Sequence, residues 1–288
     1  MRPLRSLLFA PGSEPRKLEK VVGFGADAVI ADLEDAVADS EKEAARVLVR
    51  SVLERQTTDA YLVRVNGPDG DLWVDDLEAV VCPGLAGVMV PKVEHPEQLP
   101  EVSSRLELLE SAAGMEPGDT PLIGLVETPL GITRLDDIAQ MAPPRTRTLA
   151  LGTADLSAEL GVELTIEGTE LLHARSRMVM AVRAAGLEAP LDGPFLAIRD
   201  LDGLRRSSEA SRALGFQGRI AIHPGQVEPV NEVFGYVDAA SIAAAHRIVE
   251  AFEEAESRGA ASIQVDGTFV DYPIYWNAKA QLDRPAHE

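Results

Sequence analysis

The sequence predicts an α/β protein, a (β/α)8 TIM barrel with a C-terminal helix and a lid-like extension. Three observations carry this expectation: short apolar runs recur eight times before about residue 225, segments with helical features lie between them, and charged residues stand at the exits of most runs. Strands that alternate with helices make parallel βαβ units, and eight such units suit a closed barrel, whose chemistry gathers at the C-terminal ends of its strands. An open doubly wound sheet is the alternative architecture.

The runs, in order, are Ser6–Ala10, Ala28–Ala31, Tyr61–Val65, Gly87–Val90, Leu122–Val126, Thr148–Leu151, a weak one near Ala189–Leu191, and Arg219–Ile222. Each is too short for a helix and suits a strand buried on both faces. Ser40-Glu41-Lys42-Glu43 reads as a capping box that opens a helix. Leu171, Leu172, Met178, Val179 and Val182 recur at helical spacing, and Leu201, Leu204 and Leu214 do so more weakly. Residues 1–236 are therefore assigned to the barrel and 237–288 to a C-terminal helix and arm. Asp238–Arg258 is rich in alanine and glutamate and reads as one long helix. Gly259–Asp266 and Gly267–Pro273 then suggest a turn or hairpin and an extended stretch before a last short helix.

Composition narrows the function classes. Aspartate and glutamate outnumber lysine and arginine 47 to 27, a formal charge of −20, which argues against a nucleic-acid or anionic-membrane partner. A single cysteine, Cys82, excludes internal disulfides and thiolate metal clusters and fits a reducing, cytoplasmic setting. The one apolar run near the start, Leu7–Ala10, is followed at once by Pro11-Gly12, so neither a signal peptide nor a membrane span is expected. No GxGxxG or GxxxxGK[ST] follows a strand, which removes the common nucleotide-binding loops.

The strand exits form a coherent set. Asp32, Glu34 and Asp35 follow the second strand, Arg64 and Asn66 the third, Lys92 and Glu94 the fourth, Glu127 the fifth, Asp155 the sixth, Asp192 the seventh and His223 the eighth. Glu127 and Asp155 on successive strands can converge on a hard cation, and magnesium takes one or two carboxylates with water and substrate oxygens for the rest. Zinc is disfavoured, because only five histidines occur and none makes an HxxxH or HExxH pair. Each residue also has a structural alternative. Glu127 can cap the backbone before Thr128-Pro129, Asp155 the following helix, Asp32–Asp35 can be a polar turn, and His223-Pro224 a turn bonded to backbone.

These residues resemble the HpcH/HpaI aldolase and citrate lyase β-subunit (CitE-like) family along nearly the whole chain. The matching segments include Arg5–Gly12, Asp32–Val37, Lys42–Arg46, Val63–Gly67, Pro91–Glu94, Val126–Pro129, Gly152–Leu156, Asp192–Pro194, Gly215–Gly218, His223–Gln226 and Gly267–Pro273. The resemblance implies a homotrimer or hexamer, with magnesium held by Glu127 and Asp155, Arg64 on the substrate's keto or thioester oxygen, and Asp32, Glu34, Asp35 and Lys92 around the metal's waters. It also implies that Asp271 acts in a neighbouring subunit's site. The reaction implied is carbon–carbon cleavage of a 3-hydroxyacyl-CoA thioester of the citramalyl-, malyl- or citryl-CoA type to a 2-oxo acid and acetyl-CoA. Alternatives are a citrate lyase β subunit acting on an acyl-carrier-protein thioester, a malyl-CoA thioesterase, and a free-acid aldolase. Arg2, Arg5, Arg16 and Lys17 are candidates for the CoA phosphates by charge. The family resemblance has one mild departure in the barrel, Arg219, where many relatives carry lysine.

Overall fold

The apolar runs form eight parallel strands that close into a barrel: β1 (Ser6–Pro11), β2 (Ala28–Asp32), β3 (Tyr61–Arg64), β4 (Gly87–Val90), β5 (Leu122–Val126), β6 (Thr146–Leu151), β7 (Leu191–Asp192) and β8 (Gly218–Ala221), with β8 paired to β1. The computed structural model describes residues 4–55, 60–235 and 239–282. The architecture is a (β/α)8 TIM barrel, as the sequence predicts. Two compact units make up the chain, Met1–Phe234 with the barrel and Gly235–Glu288 beyond it.

The barrel wall sorts its residues by the two-residue period of a strand. Leu7, Ile30, Leu62, Met89, Ile123, Leu125, Ala150, Leu191 and Ile220 fill one cluster inside the barrel. Their neighbours in sequence, among them Leu8, Val29, Val63, Val88, Leu122 and Leu149, pack with the surrounding helices in a second, larger cluster. This phase decides which strand-end residues reach the mouth. Counting on by two from Ile30, Leu62 and Leu125 gives Asp32, Arg64 and Glu127, all buried. Counting on by one from Leu191 gives Asp192, which belongs to the outer layer.

Two expectations about local structure are corrected. Ser40 lies inside a 3-10 turn, Asp39–Glu41, ahead of the helix Lys42–Arg55, so the expected capping box does not open that helix. The strand near Ala189–Leu191 is only Leu191–Asp192, which pairs through Ala150 to β6 and through Gly218 and Arg219 to β8.

In the second unit, the helix Ala239–Ser257 is followed by an antiparallel hairpin, β9 (Ser262–Val265) and β10 (Thr268–Asp271), and by the helix Tyr272–Leu282. Asp266 and Gly267 between the strands have φ of 51° and 81°, as a tight primed hairpin turn requires. Phe252, Val270 and Tyr275 form the core of this unit, with the Phe252 and Tyr275 rings stacked 4.8 Å apart. Pro273 falls early in the last helix, where its missing N–H costs nothing.

Candidate active site

A cavity of about 930 Å³ opens at the C-terminal ends of the barrel strands, lined at its floor by Leu125, Asp32, Arg64, Glu127 and Gly152 and higher up by Asp35 and Asp155. Arg64 is its central cation. Asp32 and Arg64 are register partners on β2 and β3, and Arg64 donates from Nε to Asp32 Oδ1 at 2.6 Å and from Nη2 to Oδ2 at 2.7 Å. This bidentate fork fixes the plane of the guanidinium. Asp32 is fully committed, because its oxygens also accept the backbone N–H groups of Glu34 and Ala36, both at 3.1 Å. Phe9 on β1 lies under the guanidinium carbon, 4.7 Å from ring centre. Burial alone would lower the Arg64 pKa, but Asp32 above all, with Glu34 and Glu127, carries it upward, so the group is permanently charged.

The remaining acids are less satisfied. Glu34 Oε2 sits 2.9 Å from Arg64 Nη1 but off hydrogen-bond alignment, and it is a buried oxygen with no hydrogen bond. Burial, opposed by Arg64, raises the Glu34 carboxyl to about 7. Glu127 accepts the Lys92 backbone N–H at 3.0 Å, and burial followed by the charges of Glu34 and Asp155 pushes it to about 8 despite Arg64. Lys92 has φ of 50°, a left-handed conformation uncommon outside glycine, and its Nζ stands 3.8 Å from Glu34 Oε1. Space for the Glu127 side chain exists because residue 152 is glycine: a Cβ there would lie 2.3 Å from Glu127 Cβ and 2.4 Å from Oε2. Asp155 is half-buried in the first turn of the helix Thr153–Leu160, where the helix dipole favours a carboxylate.

This donor set suits a hard divalent cation. It offers only carboxylate oxygens, includes a buried Glu34 oxygen with no hydrogen bond, and holds two carboxyls that burial raises to about 7 and 8 and that a bound cation would keep ionised. Among the described residues no three His, Cys, Asp or Glu side chains gather closely enough to encase a metal. A pair such as Glu127 and Asp155 would leave the rest of an octahedral shell to water and ligand oxygens, the arrangement magnesium prefers.

Several strand-exit residues have other duties. Asp192 faces outward and is fully buried: Arg219 and Ser211 donate to its Oδ2, while Arg175 Nε at 3.1 Å and the Gly193 N–H at 2.9 Å bind Oδ1. Burial would raise its pKa, but Arg219 and Arg175 hold it at about 2. It is therefore part of the scaffold, which corrects its place in the rim set. His223 lines the cavity, as its place in the rim set predicts, and also accepts the Gly225 N–H through Nδ1 at 3.1 Å to cap a short turn, the structural alternative read from the sequence. Thr128, and not Glu127, caps the turn after β5 by accepting the Gly131 N–H at 3.1 Å. Asn66 is drawn into a network behind the cavity; it and Glu94 do not line the cavity, and neither do Glu34 and Lys92, which stand behind the lining beside Arg64 and Glu127.

At the rim, Arg16 and Lys17 line the cavity with Lys20, which the sequence reading missed and which helical spacing from Arg16 would have found. Arg5 is corrected: it precedes β1 at the opposite end of the barrel and forms a fork with Asp27 at 2.9 and 2.7 Å. Arg2 lies outside the described residues. Asp271 ends β10 in the second unit, half-buried, and its Oδ1 accepts the Ile274 N–H at 3.4 Å. No described helix is long and apolar enough to cross a membrane.

Comparison with known proteins agrees with this geometry. The sequence profile of the HpcH/HpaI aldolase/citrate lyase family matches residues 5–224. The chain is 36% identical to citrate lyase subunit beta of Haemophilus influenzae over 286 residues, 99% of this chain and 97% of that protein. It is 40% identical to a (3S)-malyl-CoA thioesterase of Cereibacter sphaeroides over 273 residues, 93% of this chain and 90% of that one. Among solved structures, CitE of Mycobacterium tuberculosis in complex with magnesium, acetoacetate and coenzyme A superposes with a TM-score of 0.79 at 30% identity, covering 99% of each chain. RipC of Yersinia pestis superposes with a TM-score of 0.68 at 30% identity, covering 83% of this chain and 97% of that one. The barrel, the acid-rich mouth around Arg64 and the extent of these matches lead to one assignment: the chain belongs to the HpcH/HpaI aldolase/citrate lyase family and is an enzyme of its lyase type.

Proposed function

We propose that this protein is a magnesium-dependent carbon–carbon lyase that cleaves a 3-hydroxyacyl-CoA thioester, of the malyl-, citramalyl- or citryl-CoA type, to a 2-oxo acid and acetyl-CoA. The observation that carries the reading is the meeting of one fixed, permanently charged guanidinium with the carboxyl groups of Glu127, Asp155 and Asp35 on one cavity in the barrel mouth. Glu127 and Asp155 hold the cation. The Mycobacterium tuberculosis citrate lyase beta subunit complexed with oxaloacetate and magnesium, and CitE of the same organism with magnesium and pyruvate, support magnesium beside a 2-oxo acid. When bound, magnesium supplies Lewis-acid polarisation of the substrate's hydroxyl and adjacent carboxylate.

The chain's own residues do the rest. Arg64, held through Nε and Nη2 by Asp32, presents its remaining Nη N–H groups to the thioester oxygen, where negative charge develops as the carbon–carbon bond breaks, and preorganised charge of this kind usually lowers the barrier more than any other single effect. Asp32 and Phe9 keep the guanidinium in one plane, so no reorganisation is needed during the reaction. Asp35, Glu34 and Lys92 order the water around the cation. The hydroxyl proton passes to water in the open cavity, and Asp271, from a neighbouring copy in a homotrimer or hexamer, relays one proton from solvent to the thioester's methylene carbon, so the proton count balances. Arg16, Lys17 and Lys20 take the phosphates of the CoA at the rim, where a cationic cluster offsets the chain's acidic surface.

The identity to a malyl-CoA thioesterase favours a second reading, in which water replaces the carbon leaving group at the same site. A third, favoured by the identity to citrate lyase subunit beta, is transfer of the same chemistry to a thioester on an acyl carrier protein. Mass spectrometry of purified protein with malyl-, citramalyl- and citryl-CoA, with magnesium and then EDTA, separates the three. Magnesium-dependent release of a 2-oxo acid with acetyl-CoA is the expected result. Free CoA with an intact hydroxy acid would replace the lyase by the thioesterase, and inactivity relieved only by an acyl carrier protein would indicate the third.

A further inference from the structure

Behind the acid loop that follows β2 lies a buried network of polar groups that the proposed chemistry does not use. Lys42, from the first turn of the helix Lys42–Arg55, is buried, and its Nζ donates to Leu33 O at 3.0 Å, Glu34 O at 3.1 Å and Asn66 Oδ1 at 2.7 Å. All three protons of the ammonium are thereby used, and all on uncharged acceptors. Among the described residues no carboxylate lies within ion-pair distance of Lys42, whereas Arg64, Arg145 and Arg219 each have at least one. Asn66 is fixed in turn: its Nδ2 donates to Leu33 O at 3.1 Å and to Asp76 Oδ2 at 2.6 Å, and its backbone N–H reaches Asp76 Oδ2 at 2.7 Å. Asp76 Oδ1 is held by Arg46 Nε at 2.7 Å, one helical turn after Lys42. Lys42 and Asn66 thus grip consecutive carbonyls of the segment that carries Glu34 and whose Glu34 and Ala36 N–H groups bind Asp32.

We infer that Lys42 is a positioning residue for the lyase site, a buried ammonium that clamps the Leu33 and Glu34 carbonyls and so sets where the Asp32 and Glu34 carboxylates meet Arg64. The inference rests on the proposed roles of Arg64 and Glu34. A buried ammonium is costly without compensation, and a simple loop anchor would be served by a neutral donor. What Lys42 adds is three donors on one point, which neither glutamine nor methionine can reproduce. A shift of the segment by a few tenths of an ångström would turn Glu34 away from Arg64 and loosen the fork with Asp32, and enzymes are sensitive to such displacement.

The test compares Lys42→Met and Lys42→Arg with Arg145→Met, which removes an equally buried bridge to Glu110 away from the cavity. Hydrogen exchange of the peptide 32–37 is measured on each full-length protein, together with kcat, KM and the melting temperature. Lys42→Met is expected to speed exchange in that peptide at least about tenfold and to lower kcat about 10- to 100-fold with KM changed less than about threefold, the usual cost of losing a supporting partner of a site. Lys42→Arg, which keeps the charge but spreads its donors over a planar fork, is expected to fold and still to lose at least about fivefold in kcat. Arg145→Met is expected to lose thermal stability and keep wild-type kcat. Wild-type exchange in peptide 32–37 or wild-type kcat in either Lys42 variant overturns the inference. Faster exchange in that peptide on an enzyme whose kcat does not depend on Arg64 would support the clamp and instead refute the role proposed for Arg64.

Discussion

Two aspartate–arginine pairs in this barrel are built alike and behave oppositely. Asp32 with Arg64 and Asp192 with Arg219 are each register partners on adjacent parallel strands, and each pair is buried. Asp192 faces the helix layer, where Arg175, Ser211 and the Gly193 N–H complete its shell, so positive charge exceeds negative and its carboxyl is held at about 2. Arg64 faces the barrel mouth among Asp32, Glu34 and Glu127, where burial first of all, and then the neighbouring carboxylates, raise the two glutamates to about 7 and 8 against the pull of Arg64. In the outward pair both oxygens of Asp192 are bonded without a ligand, although Arg219 Nε makes no hydrogen bond among the described residues. Beside the inward pair stand two buried glutamates that must either take up protons near neutral pH or meet a further cation, and that difference separates scaffold from site.

The comparison can be broken at several points, beginning where the largest effect is expected. Glu127→Gln keeps the side chain's size and removes its charge; turnover should fall by at least about 10³-fold, and magnesium affinity, read by calorimetry, should fall with it. Unchanged affinity would move the cation elsewhere. Arg64→Lys retains a charge but loses the fork to Asp32, so kcat should drop about 10²- to 10³-fold with a smaller change in KM. Gly152→Ala puts a methyl group where Glu127 Cβ stands 2.3 Å away, and should lower both magnesium affinity and kcat about 10²-fold without touching any charged residue.

The outward pair should answer in stability rather than in turnover. Asp192→Asn leaves the Arg219 charge buried and is expected to cost about 3–5 kcal/mol in chemical denaturation while kcat stays at the wild-type value. A loss of kcat at unchanged stability would erase the distinction between the pairs. The smallest effect concerns acid. Because the Asp192 pKa is depressed on folding, its contribution is fully present above its unfolded value near 4 and is lost as pH falls from there through about 2. Denaturation midpoints followed from pH 5 to 2 should therefore fall more steeply for the wild-type protein than for Asp192→Asn, by about 2 kcal/mol over the window.

Much of this was legible in the sequence because the barrel repeats a simple pattern. All eight runs mark their strands to within two residues, and Glu127, Asp155, Arg64, Asp32 and Asp35 do meet on one cavity. What the pattern did not resolve was phase. Asp32 and Asp192 are indistinguishable as acids at strand ends, and only counting by twos from Ile30 and Leu191 sends one inward and the other outward. The same neglect of direction made Arg5, at the start of β1, a candidate for a site at the strand's other end. Lys20 was missed because its short helix carries little apolar periodicity, and the network of Lys42, Asn66 and Asp76 because its members lie 10 to 34 residues apart in sequence and meet only in the folded chain, side chain to side chain and through backbone groups. The absence of a side chain at residue 152 carries no local signal at all, since the glycine's purpose is fixed by a glutamate on the preceding strand.

That glycine has a consequence for how related genes can diverge. Every missense change at codon 152 enlarges the residue, so no heritable step at that position is neutral for the carboxylate beside it. A lineage that abandons glycine there must first, or at the same time, give up or re-route its Glu127 equivalent. Inspecting these two positions together would then sort sequences of the same barrel into those that have kept an acid at the mouth and those whose ancestors have turned the scaffold to another trade.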